Sequence, residues 1–155
     1  MCFVLFAGTS KPIARKEWLK DAPGVSVESL GDREVPIKMH FKSPEIQYIG
    51  STSGCGCDFP HVMNQNGGWP VLWDEAKDPA RVEVEQSNRQ ALVKILREIR
   101  EPSVELYGVW DGDFNFSEAP KVSEAIFLEQ ILDPNFYFKE QGFYTVQIEA
   151  HEGME

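Results

Sequence analysis

Residues 79–110 read PARVEVEQSNRQALVKILREIREPSVELYGVW, and this stretch decides the fold. Val84, Asn88 and Ala91, then Leu92, Ile95, Leu96 and Ile99, recur at helical spacing, while the opposite face carries charge. Asp78 supplies an N-cap, and Pro79 suits a first helical turn, where its missing N–H has no partner to lose. Pro102 ends the run, because a proline disfavours helical geometry in the residue before it. A shorter helix starting at a Ser87/Gln90 capping box, with Arg81 to Glu85 extended, is the competing reading. The longer helix, from about Pro79 to Arg100, is preferred. Ser103 to Trp110 follows as an apolar-rich segment and reads as the central strand.

Working outward, short apolar or alternating segments bounded by Gly, Pro, Ser and Asp read as further strands. Toward the start these are Cys2–Ala7, Val25–Leu30 and Glu45–Ile49. Glu34 to Phe41 contains Pro36, which restricts it to an edge strand or a loop. Beyond the central strand, Val122–Phe127 reads as a strand followed by a helical turn to Leu132. Phe136–Lys139 and Phe143–Ile148 flank Glu140-Gln141-Gly142, the signature of a hairpin with glycine in its loop. No strand–helix–strand alternation is present. The expected class is therefore α+β, a largely antiparallel sheet of about six strands packed by one long helix.

The 155 residues fit one domain, 1–155, long enough to bury a sizeable core. Twenty-five acidic residues against fifteen basic ones give a formal charge of −10. That sign repels phosphates and anionic lipid, so nucleic acid and membrane surfaces are not expected partners. A protein or small-molecule partner stays open. The apolar start is short and has no basic lead-in, unlike a signal peptide or membrane span. Three cysteines do not make a disulfide framework. Together these features point to a reducing cytoplasm.

Gly54-Cys55-Gly56-Cys57-Asp58-Phe59-Pro60-His61 is the segment with the most chemistry. Two thiols separated by one glycine can turn into a single site, because glycine lets the backbone bend sharply. With His61, the pair suits zinc, and Cys2 or Asp58 can complete the shell if the first strand packs beside the loop. The same pair can instead form a strained, easily reduced disulfide, or remain two small buried thiols. Asp111-Gly112-Asp113 offers alternate carboxylates but lacks the glycine and glutamate of a calcium loop, and reads as a solvated turn. Cys2 has the position of an N-terminal nucleophile once Met1 is removed, although Phe3 stands where a small residue is needed and Asn66-Gly67 is the one available Asn-Gly pair.

Three stretches, Met1–Thr9, Gly54–His61 and Glu105–Asp113, resemble those of an uncharacterised family of small bacterial proteins. The resemblance covers most of the chain and implies no activity, substrate or site. No complete catalytic constellation is legible. The leading expectation is a small soluble interaction or binding module with inert cysteines. Its rivals are a zinc or redox thiol site at Cys55, Cys57, His61 and Cys2, and an N-terminal-nucleophile hydrolase using Cys2.

Overall fold

The computed structural model describes residues 2–61, 79–110 and 119–148. Asp78, the Asn66-Gly67 turn and the Asp111/Asp113 pair lie outside them. The elements in chain order are β1 (Phe3–Thr9), β2 (Ser26–Ser29), a 3₁₀ segment (Asp32–His40), β3 (Glu45–Gly50), α1 (Pro79–Glu98), β4 (Ser103–Trp110), β5 (Val122–Phe127), a second 3₁₀ segment (Leu128–Leu132) and β6 (Gly142–Gln147). The strands form one six-stranded sheet in the order β2-β3-β1-β4-β6-β5. The fold is α+β, as expected.

β1 and β4 are the centre of that sheet, and β1 is antiparallel to both its neighbours, with Phe6 opposite Tyr48 on one side and Tyr107 on the other. All seven residues of β1 are buried. Burial on both faces explains its unbroken apolar run, since a strand covered on one face only alternates instead. One face, with Phe3, Leu5, Val104 and Leu106, packs against Leu92, Val93 and Leu96 of α1. The other face, with Val4, Phe6, Tyr107 and Val109, is covered by Ile37 of the first 3₁₀ segment. Glu34–Phe41 is thus largely this short helix, neither edge strand nor loop. Its first turn is closed reciprocally by Gly31 N–H donating to Glu34 Oε1 at 2.8 Å and Glu34 N–H donating to Gly31 O at 2.9 Å.

The longer helix is the one formed. Arg100 adopts a left-handed φ of 65° just past its end, two residues before Pro102. Its C-terminal half follows the apolar pattern, with Leu92 and Leu96 fully buried and Ile95 and Ile99 packed on the core edge. Its N-terminal half does not. Val84 is exposed, and Glu85 and Arg89 are buried beside the expected Asn88. This half faces polar loops whose carbonyls need donors. Arg89 donates to the carbonyls of Ile131, Asp133, Pro134 and Phe136, tying the chain after β5 to the helix.

The expected hairpin does not form. The turn at Glu140-Gln141-Gly142 exists, with Gln141 at φ 54° and Gly142 N–H donating to Lys139 O at 3.0 Å. The incoming segment is not a strand, however; within it, Phe138 makes an isolated parallel bridge to His61. β6 pairs antiparallel with β4 and parallel with β5, so both of its edges are already taken.

Leu96 makes the helix–sheet contact testable. Leu96→Ala is expected to cost about 2–5 kcal/mol of unfolding free energy, the range for a buried leucine truncation, read as a lower urea midpoint at unchanged slope.

Candidate metal centre

Leaving β3 at Gly50, the chain folds into a compact turn. Ser51 N–H donates to Cys55 O at 2.6 Å and Gly54 N–H donates to Ser51 O at 2.9 Å. Gly54 has a φ of 92°, a conformation that a side chain would strain. The Ser51 hydroxyl, fully buried, also donates to Cys55 O and accepts from Asp58 N–H at 3.1 Å. The turn is therefore fixed by its own serine before anything outside it contributes.

Gly56 then meets the head of β1. Its N–H donates to Phe3 O at 2.7 Å. A β-carbon there would lie 2.8 Å from that oxygen and 3.2 Å from Val4 Cα, both backbone atoms that cannot give way. The two cysteines that flank Gly56 are carried to the end of β1 where Cys2 stands, half-buried and just ahead of the strand. The sulfurs of Cys2, Cys55 and Cys57 all lie within 4.8 Å of one another, and none is in a disulfide.

Helix α1 holds the loop from the outside. Arg81 donates from Nη1 to Asp58 Oδ1 at 2.6 Å and from Nη2 to Cys57 O at 2.9 Å. Asn88 accepts from Thr52 N–H at 3.0 Å and donates to Thr52 Oγ1 at 3.2 Å. Thr52 in turn donates its hydroxyl to Asp58 Oδ2 at 2.6 Å. Both oxygens of Asp58 are thereby engaged, and this carboxylate anchors the loop. Arg81 entered the sequence reading only as part of a helical or extended segment, with no role at the loop. Asn88 was visible as an amide on an otherwise apolar helical face, which is the signal of a buried polar anchor.

His61 is placed outside the three-sulfur group. Its ring stacks on Phe3, with centroids 4.5 Å apart and planes 2° from parallel, and meets Trp110 edge-on at 5.7 Å. Its Nδ1 donates to Phe59 O at 2.7 Å. Of the four expected ligands, Cys2, Cys55 and Cys57 are brought together and His61 is not in the group. Asp111, Asp113 and the Asn66-Gly67 pair lie outside the described residues.

Protons are unequally held across the three thiols. Burial raises all three, but at Cys55 hydrogen bonds from the Cys57 side chain and backbone N–H, and from Cys2 and Ser53, overcome it and leave the thiol below its ordinary value. Cys57 goes the other way, pushed up to about 12 by burial and by its hydrogen bond to Cys55, with the Phe3 N–H opposing. Cys2 is raised by its hydrogen bond to Cys55 and by burial. The cluster is therefore an ordered set, in which Cys55 gives up its proton ahead of the two thiols that donate to it.

Against protein-family models, curated proteins and solved structures, the chain matches none.

The ordering of the thiols has a direct readout. With chelator present, iodoacetamide is expected to modify Cys55 first and Cys57 last, because the thiolate is the nucleophile. Peptide mapping of a pH series checks this, and equal rates at all three sites would contradict it.

Proposed function

We propose that the chain is a small binding module whose centre is a zinc ion held by the thiolates of Cys2, Cys55 and Cys57. The observation that carries this reading is the convergence of three unpaired sulfurs within 4.8 Å. Zinc–sulfur bonds of about 2.3 Å at tetrahedral angles place sulfurs roughly 3.8 Å apart, a spacing compatible with this convergence. Backbone N–H groups of Phe3 and Cys57 already point at sulfurs of Cys57 and Cys55. Such donors stabilise the thiolate form that a metal requires. Soft sulfur ligands favour zinc or cuprous ion over the harder divalent ions. Three protein ligands leave one tetrahedral position for water or for a group brought by a partner.

Binding must displace the thiol protons, so affinity rises with pH. The high value at Cys57 makes this dependence steep around neutrality, and acid is expected to release the metal. Native mass spectrometry after zinc loading is expected to show one added zinc, lost in Cys2→Ser and in Cys57→Ser. Gly56→Ala is expected to weaken zinc by about 10–100-fold, since it displaces the support of two ligands. A chain that stays bare in excess zinc would overturn the proposal. So would one that readily loses two hydrogens to a Cys55–Cys57 disulfide and takes up no metal.

A further inference from the structure

A second site lies on the helix face of the sheet and shares no lining residue with the thiol loop. It is a cavity of about 760 Å³ between the 11–16 segment, the first residues of β2 and the C-terminal half of α1. That volume suits a small organic ligand. Its walls are pre-formed. Gln47 grips Ile13 through both amide atoms, accepting from Ile13 N–H at 2.8 Å and donating to Ile13 O at 2.9 Å. Glu101 accepts from the backbone N–H groups of Ser10 and Lys11. Lys16 and Val27 exchange backbone hydrogen bonds at 3.0 and 2.9 Å.

The lining combines two chemistries. Ile13, Val25 and Val27 form an apolar floor, continued by Ala91 and Ile95 of α1 and Ile99 just past its end, which the core covers only in part. Around it stand Lys11, Arg15, Lys16 and Lys94, all exposed, with Glu98 as the one carboxylate. Among the described residues none of these four cations is in an ion pair. Four of the chain's fifteen basic residues gather here, although the chain as a whole carries −10. A local excess of cations against that background is a field for an anion, and an apolar floor is a place for a hydrocarbon body.

We infer that this cavity binds a small organic acid with an apolar body, such as a medium-chain or aromatic carboxylate. The carboxylate faces Lys11, Arg15 and Lys16, because Glu98 and the negative end of the helix repel it from the opposite wall. The apolar body lies on Ala91, Ile95 and Ile99.

Octanoate serves as the probe, with octanol and octylamine as matched controls, followed by amide chemical shifts of the full chain. Octanoate is expected to shift Ile13, Ala91 and Ile95, to weaken as salt is raised, and to bind more tightly than octanol; octylamine is expected not to bind. The pair Lys11→Gln with Lys16→Gln is expected to weaken octanoate by about tenfold, the usual scale for losing a charge-assisted contact. Ala91→Phe, which fills the floor, is expected to abolish binding while the rest of the spectrum stays native. Cys57→Ser should leave octanoate binding unchanged, which separates this site from the thiol centre. Equal binding of octanol and octanoate, equally tight binding of inorganic phosphate, or shifts confined to other residues would each overturn the inference.

Discussion

Between Gly56 and Phe3 the backbones come so close that nothing larger than a hydrogen fits on the Gly56 α-carbon. The 2.7 Å hydrogen bond made there joins the loop after β3 to the head of β1, a fully buried strand at the middle of the sheet. A loop fixed to that strand inherits its rigidity. Because the contact falls on the residue between Cys55 and Cys57, both thiols are brought to Cys2 without any bond between sulfurs. The Ser51 and Asp58 hydrogen bonds then close the loop on itself, and Arg81 and Asn88 clamp it to the helix.

α1 is a helix with two chemistries along its length. Toward its C-terminus it buries leucine and valine on the sheet. Toward its N-terminus it buries Glu85, Asn88 and Arg89. Buried polar groups are costly unless hydrogen-bonded, and these are matched: Asn88 to Thr52 N–H, Arg89 to the carbonyls of Ile131, Asp133, Pro134 and Phe136, and Glu85 to Arg81 one turn earlier in the helix. The helix therefore stabilises the fold with one half and positions irregular backbone with the other. The thiol loop depends on the polar half, and the cationic cavity is built on the apolar half.

Part of the acid excess is structural in the same sense. Glu101 receives the backbone of Ser10 and Lys11 after β1, and the largely buried Glu105 receives Lys42 N–H and Ser43 N–H, the latter at 2.9 Å, ahead of β3. Carboxylates that accept backbone N–H groups fix loops that have no strand partner, so net charge read from composition overstates how much of it faces solvent.

The sequence by itself determined what local pattern can carry. The span of α1, the central place of Ser103–Trp110 and the α+β class follow from periodicity and proline placement, and the glycine between Cys55 and Cys57 marks the sharp turn there. Partners were not so determined. Alternation marks β6 as a strand but does not say which strand it joins, and it chose β4 and β5 over its own neighbour Phe136–Lys139. A 3.6-residue period marks the apolar face of α1, yet Arg89 became buried because of the loop carbonyls that happen to face it. His61 sits nearer the thiol pair in sequence than Cys2 does, but the stack on Phe3 claims its ring and the head of β1 delivers the third sulfur. Each of these outcomes is a choice among non-local contacts, whose energies depend on which surfaces the completed sheet brings together, and only the tertiary structure decides that.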